Sequence, residues 1–199
     1  MKILFDTCSL IHFLASSEQL ILSRFAHAAR GELTVPEKVC EELRRVLSRK
    51  QKFARTPALD NWRAFEESVT VLSDDTEETS FLEEAMTALN SHDLMRRRPL
   101  RERLALSEDV GEFIVASHAL ALALQGERVI VVIDDEYGRG LVATAQQFLL
   151  AHEAISKGRI DRSSTSHIVK LAEKKGLLGN RAASAVFEKM EEIENIRHW

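Results

Sequence analysis

The chain has 199 residues, 45% of them hydrophobic and 29% charged, with a formal net charge of −4. This is ordinary composition for a globular domain that can bury a sizeable core. No run approaches the ~18–20 apolar residues of a membrane span, and no basic region or cleavage site suggests a signal peptide, so we expect a cytoplasmic protein. The negative net charge gives no support to a nucleic-acid partner.

The first predicted elements alternate between strand and helix. Lys2 to Phe5 predicts a short strand that ends at Asp6. A helix follows, with apolar residues from Ile21 to Ala29 at helical spacing, and Leu33 to Val35 predicts a second strand. Pro36 suits the first turn of the next helix, whose apolar stripe is Val39, Leu43, Val46 and Leu47.

Residues 53–104 predict a helical insertion. Trp62 and Phe65 suggest a helix followed by a short extended piece at Val71 and Leu72, and Phe81 begins another helical pattern. We expect these aromatic residues to form the core of the insertion.

The remaining elements predict a helix from Ser107 to Gln125 and a buried strand from Val129 to Ile133. The helix is apolar on nearly every face and should therefore be buried. Three helical patterns, at 141–155, 164–175 and 182–196, follow in the C-terminal segment of about 141–196. Strands that alternate with helices indicate a three-layer α/β/α fold with a central parallel sheet, and we expect one domain over 1–199.

Acidic residues follow two of the predicted strands. Asp6 ends the first strand, and Asp134 and Asp135 follow the strand from Val129. Sites in open parallel sheets form outside the carboxyl ends of the strands, so these acids should share one rim. Each could instead serve only as a turn or capping residue, but Asp6 is costly to bury unless it is paired or binds a metal.

Two helices can bring further carboxylates to this rim. On the helix after Pro36, Glu42 lies near the apolar stripe, whereas Glu41 should face water. Asp109 and Glu112 are three residues apart in the first turn of the later helix and share one face. A role limited to the helix dipole is their simpler interpretation.

Carboxylates in a cluster raise each other's pKa and need a cation to ionise together. Oxygen ligands without supporting Cys or His favour Mg²⁺ or Mn²⁺. The candidate metal ligands are Asp6, Glu42, Asp109, Glu112, Asp134 and Asp135. Phosphodiester hydrolysis is the chemistry typical of such a site.

Four segments resemble the PIN domain family: ILFDTCSLI at 3–11, VPEKVCEEL at 35–43, EDVGEFIVASHAL at 108–120 and VIVVIDDEYGR at 129–139. PIN domains are similar in having a strand that ends in Asp-Thr, a Glu before Leu on the next helix, an acid that opens a small-residue helix, and an acid after the next strand. The segment 141–189 also resembles the helical end of prokaryotic PIN proteins.

The resemblance implies a Mg²⁺- or Mn²⁺-dependent endoribonuclease whose catalytic residues are Asp6, Glu42, Glu112 and Asp135. Asp134 and Asp109 stay near-equivalent candidates, because a short motif permits a slip of register. Cys8 stands where the family often has Ser or Asn, so Ser9 would supply the hydroxyl. Glu112 stands where Asp is frequent.

The implied partners are RNA and, by similarity to VapC-type toxins, a small antitoxin protein; a homodimer is a further expectation. Substrate contacts are assigned only weakly, to Thr7, Ser9, Arg96, Arg97, Arg98 and Arg139. Arg139 could contact a phosphate or only neutralise the acids. Two basic stretches, at 44–55 and 96–103, flank the predicted site in sequence and could follow an RNA backbone or be solvated faces.

Two other functions are compatible with an acidic α/β chain. A phosphoacceptor receiver module needs an acid pair near the end of strand one, and here strand one has the single Asp6. A non-catalytic RNA- or protein-binding module that keeps the PIN fold is the main alternative. Metal binding at the rim distinguishes it from a nuclease.

Overall fold

The computed structural model describes residues 1–49, 53, 56–93, 110–151 and 157–195. The strands of this part are β1 (Lys2–Phe5), β2 (Glu32–Pro36), β3 (Thr70–Leu72), β4 (Arg128–Val132) and β5 (Arg159–Ser163). The helices are α1 (Thr7–Ala15), α2 (Gln19–Ala29), α3 (Glu37–Arg49), α4 (Ala58–Glu66), α5 (Leu82–Asp93), α6 (Gly111–Leu124), α7 (Glu136–Ala151), α8 (Thr165–Lys174) and α9 (Ala183–Asn195).

The five strands form one parallel sheet in the order β3-β2-β1-β4-β5. Helices α5, α6 and α7 pack together, while α1 packs with α2, α4 and α9, and α2 with α8. The predicted three-layer α/β/α fold is confirmed. The chain moves outward from β1 to β3 and then returns to β4, so the strand order reverses between β1 and β4, where ligands bind in folds of this type.

The core lies between the sheet and its helices. Helix α6 is buried at every position except Glu112, as its apolar sequence predicts. The apolar strands β1 and β4 lie side by side in the sheet, with Leu4 opposite Val131 and Phe5 opposite Val132. This pairing places the carboxyl ends of the two strands side by side, so the residues that follow them lie close together.

The three helices predicted within 141–196 are present as α7, α8 and α9, and α7 begins earlier than predicted, at Glu136. The extended piece predicted at Val71 and Leu72 is the edge strand β3, which pairs with β2. The edge strand β5, between α7 and α8, is not predicted from the sequence. In β5 only Ile160 is apolar and buried, so hydrophobic periodicity does not reveal this strand.

Two of the three aromatic residues expected in the core of 53–104 are buried there. Trp62 and Phe65 of α4 are 0% and 5% exposed, whereas Phe81 is 43% exposed with a positive φ of 64°. The placement of Phe81 in the core was therefore wrong. Within the described ranges, no helix combines the length and apolar character that a membrane crossing requires.

Candidate metal centre

The carboxyl ends of β1 and β4 place three acidic residues at one rim of the sheet. Asp6 follows β1, and its backbone N–H donates to the Val132 carbonyl at the end of β4, 3.2 Å away. Asp134 and Asp135 follow β4 after one further residue. Helices α1 and α7 begin directly after Asp6 and Asp135, and their N-terminal dipoles favour negative charge there.

A compact cluster unites three of the predicted ligands. Asp6, Glu112 and Asp135 each offer a carboxylate oxygen, and these oxygens lie within 4.8 Å of one another. Asp6 is 1% exposed, and the other two residues are half-buried. Three carboxylates at such short separations repel one another unless protons or a cation intervene.

Asp6 and Asp135 each use one oxygen to cap a helix. Asp6 Oδ1 accepts from the Ser9 N–H of α1 at 2.8 Å, and Asp135 Oδ1 accepts from the Gly138 N–H of α7 at 2.9 Å. The second oxygen, Oδ2, of each is buried and has no hydrogen-bond partner among the described residues. Capping therefore does not exclude metal binding, because it leaves one oxygen of each carboxylate without a hydrogen-bond partner among the described residues.

Burial raises the pKa of Asp6 to about 7, and the charges of Asp134 and Glu112 add to the rise, against the hydrogen bonds from Ser9. The unpartnered oxygens fit a divalent cation. Two oxygens bound to one ion at ~2.1–2.4 Å are at most ~4.2–4.8 Å apart, which matches the span of the cluster. An oxygen-only set of this kind suits Mg²⁺ or Mn²⁺.

Glu42 lies beside the cluster and contacts residues adjacent to two of its members. Its Oε2 accepts from the Thr7 hydroxyl at 2.6 Å, and a Cβ built on Gly111 would be 2.6 Å from the same oxygen. The absence of a side chain at Gly111 therefore lets the carboxylate reach the N-terminus of α6. Glu41 is exposed and pairs with Lys38, as expected for the solvent side of α3.

Asp134 belongs to a different network. Its carboxylate accepts from the backbone N–H and hydroxyl of Thr165 and from the Ser9 hydroxyl, and His12 Nδ1 lies 3.6 Å away. Burial would raise the pKa of Asp134, but hydrogen bonds from His12 and Thr165 outweigh it and lower the pKa to about 2. The geometry therefore favours Asp135 over Asp134 as the ligand.

Exchanging the two neighbouring acids separately tests this assignment. Asp135→Asn should lower Mn²⁺ affinity by more than the roughly 10–100-fold that follows loss of a residue that only orients ligands. Asp134→Asn should leave affinity within about tenfold but destabilise the fold, because each lost charged hydrogen bond is worth about 1.5–3 kcal/mol. Titration calorimetry and thermal melts measure the two effects, and equal affinity loss in both variants would contradict the assignment.

The pKa of Cys8 responds to the charges of four acids, Asp6, Glu42, Glu112 and Asp135. The Cys8 side chain is exposed, whereas Cys40 is buried. Desolvation by the surrounding protein raises the pKa of the Cys8 thiol to about 12. The charges of Asp6, Glu112, Glu42 and Asp135 contribute to this rise.

We expect iodoacetamide at pH 8 to alkylate Cys8 of the metal-free protein at least about tenfold more slowly than in the unfolded chain, because the thiolate is the nucleophile. Glu42→Gln should accelerate the reaction, and Asp60→Asn, on the exposed side of α4, should not. Peptide mass mapping separates Cys8 from Cys40. A rate equal to that of the unfolded chain would show that the four charges do not converge.

Three of the six weakly assigned substrate contacts, Thr7, Ser9 and Arg139, are engaged within the protein. The hydroxyls of Thr7 and Ser9 donate to Glu42 and Asp134, and Arg139 Nη1 donates to the Asp134 carbonyl at 2.7 Å. Of the first basic stretch, Arg44 pairs with Glu66, and Arg45 lies 3.9 Å from Glu42. Asp109, Arg96, Arg97 and Arg98 lie outside the described residues.

One polar contact beneath the site was not anticipated. His118, fully buried in α6, has Nε2 2.7 Å from Asp74 Oδ1, and Asp74 Oδ2 accepts from the Lys38 N–H at the start of α3. Asp74 thus joins the two helices that carry Glu42 and Glu112. The sequence offers one signal for this contact, namely that Asp74 closely follows β3, and the hydrophobic pattern of β3 is weak.

No family model matches the sequence, and the comparisons with curated proteins and with solved structures find no similar protein either. The site is therefore defined by its geometry: a buried acidic cluster with a span and donor set suited to a divalent cation.

Proposed function

We propose that the protein is a metal-dependent endoribonuclease that hydrolyses RNA phosphodiester bonds at the cluster of Asp6, Glu112 and Asp135. The observation that carries the proposal is the nearly complete burial of Asp6 with one unpartnered oxygen, beside two further carboxylates. Burying such a group is unfavourable, and a cation that binds the unpartnered oxygens removes the penalty.

The residues of the site have separable tasks. Asp6, Glu112 and Asp135 would hold Mg²⁺ or Mn²⁺, and the helix caps formed by Asp6 and Asp135 keep those carboxylates aimed into the cluster. When bound, the cation activates water and neutralises charge on the phosphate oxygens. Glu42, held by the Thr7 hydroxyl, lies where it can accept a hydrogen bond from a water beside the cluster.

The choice of RNA as substrate rests on the resemblance to PIN domains in the four sequence segments. The same resemblance supports a toxin that a small antitoxin protein silences, and these partners are part of the proposal. An acidic chain must hold RNA through local positive charge. The basic stretch at 96–103 is one dense candidate, and it lies outside the described residues.

Cleavage of a mixed RNA pool tests the proposal. We expect degradation with Mn²⁺ or Mg²⁺, none with excess chelator, and loss of activity in Asp135→Asn but not in Asp60→Asn, which makes the same change on the exposed surface of α4. An intact pool with both metals would refute the nuclease.

Metal binding separates the proposal from its alternative. A binding module that only keeps the fold has no need of the cluster as a metal site, whereas a nuclease should bind Mn²⁺ with an affinity that Asp135→Asn abolishes. Tight RNA binding without Mn²⁺ uptake would therefore favour the non-catalytic module.

A further inference from the structure

A small cavity of about 190 Å³ opens beside the carboxylate cluster, on the side of Asp134. Three elements enclose it: α1, the start of α8 and α9. Its walls include His12, Asp134, Ser166, Phe187, Met190 and Glu191.

The cavity lies next to the candidate metal centre, because Ser9 donates its N–H to Asp6 of the cluster and its hydroxyl to Asp134 of the cavity wall. Asp134 forms part of its wall and directly precedes Asp135, a member of the cluster. On α1, Cys8 and His12 are four residues apart and share one face, so this face leads from the cluster to the cavity. An RNA chain bound across the cluster would therefore place in the cavity the group that adjoins the reacting phosphate.

The lining indicates what kind of group the cavity accepts. Phe187 and Met190 provide an apolar wall. The polar part contains the carboxylates of Asp134 and Glu191 together with His12, Thr165 and Ser166, and His12 lies 3.6 Å from Asp134. The Asp134 oxygens already accept hydrogen bonds from Thr165 and Ser9, whereas Glu191 is exposed and forms no ion pair among the described residues. Two carboxylates repel a phosphate, so the favoured occupant has an apolar face and N–H donors.

We propose that this cavity is the subsite for the base next to the scissile phosphate and that it prefers a base with an exocyclic amino group, such as cytosine, over uracil. The inference rests on the proposed ribonuclease function. A carboxylate accepts from the amino group of cytosine, whereas uracil presents a carbonyl at the same position. The volume is below the ~300–1,000 Å³ of pockets for drug-sized ligands, which suits one base stacked on Phe187.

Two single-stranded RNAs of equal length, oligo(C) and oligo(U), test the subsite. We expect the wild type with Mn²⁺ to cleave oligo(C) with a kcat/KM about tenfold higher, the size expected for one hydrogen bond to a charged acceptor. Glu191→Gln keeps the size of the side chain and should abolish the preference. Glu192→Gln, the same change on the next residue of α9 outside the cavity, should keep it.

Binding gives a readout that does not depend on turnover. Fluorescence anisotropy in the Asp6→Asn background, where cleavage is expected to be lost, should show the same preference for oligo(C). Phe187→Leu keeps an apolar side chain but removes the ring, and it should weaken binding of both RNAs severalfold, because stacking tolerates any base.

The two possible failures are distinguishable. Equal cleavage of oligo(C) and oligo(U) by the wild type, or an unchanged preference in Glu191→Gln, overturns the subsite and leaves the nuclease intact. Cleavage of neither RNA with Mn²⁺ or Mg²⁺, together with no binding in the Asp6→Asn background, overturns the proposed function and the subsite together.

Discussion

Replacing Asp6 by Asn should abolish metal-dependent cleavage and raise the melting temperature of the metal-free protein. Asn keeps an oxygen that can cap α1 through the Ser9 N–H, so the fold should persist. Its amide NH₂ would occupy the position of the unpartnered Oδ2, where it can donate to Glu112 or Asp135. The change removes a negative charge from the cluster and with it one ligand of the proposed cation.

The gain in stability should depend on pH. The pKa of Asp6 is about 7 in the folded protein and near 3.8 without burial, so its favourable contribution is complete below about pH 3.8 and is lost as pH rises through 7. Each pKa unit is worth about 1.4 kcal/mol, so ionised Asp6 destabilises the metal-free fold by up to about 4 kcal/mol. The metal-free Asp6→Asn variant should therefore have a higher melting temperature than the wild type at pH 8 and nearly the same melting temperature at pH 4.

Saturating Mn²⁺ should reverse this order. A ligand at about 100 times its Kd stabilises the wild type by about 2.7 kcal/mol, and the variant that has lost a ligand gains less. Asp60→Asn serves as the control, since its carboxylate is 82% exposed and should show neither effect. Retained cleavage by Asp6→Asn would remove Asp6 from the mechanism, and an unchanged metal-free melting temperature at pH 8 would show that its charge is already compensated.

The sequence predicts this part of the site well because strand ends are easy to locate. Asp6 and the pair Asp134 and Asp135 follow the two most apolar strands, and parallel pairing brings such ends together. The orientation of Glu42 follows from helical periodicity in the same way. These arguments use only neighbours in sequence.

The sequence does not distinguish Asp134 from Asp135. What separates them is a partner 31 residues away, since the Thr165 N–H at the start of α8 donates to Asp134. Asp74 caps α3 and contacts His118, and the sequence does not predict these two contacts for the same reason. Residues that become neighbours only through packing leave no periodic signal.

Strand β5 shows the same limit in the fold. Its sequence, Arg-Ile-Asp-Arg-Ser, has one apolar residue, so it resembles a loop or part of a helix. Its position comes from pairing with β4 and from Gly158, which lies directly before it against the end of α6. There the turn before β5 approaches a helix more closely than a side chain allows.

Gly158→Ala should therefore be strongly destabilising. A Cβ at this position would lie 1.9 Å from the Ala123 carbonyl oxygen and 2.6 Å from its carbon, and backbone atoms in a buried helix cannot rotate away. Overpacking typically costs about 1–3 kcal/mol, and a collision with backbone belongs at or above the upper end. For a protein of this length, about 3 kcal/mol lowers the melting temperature by roughly 6–12 °C.

Gly176→Ala provides the matched control. Gly176 has a φ of +69°, and a Cβ there would meet no atom within 4 Å, so the substitution carries only the backbone strain of the left-handed region, about 1–2 kcal/mol. Thermal melts of both variants, with and without Mn²⁺, should place Gly158→Ala well below Gly176→Ala. Equal melting temperatures would mean that the turn before β5 moves freely away from α6, and then the close contact at Gly158 does not determine where β5 joins the sheet.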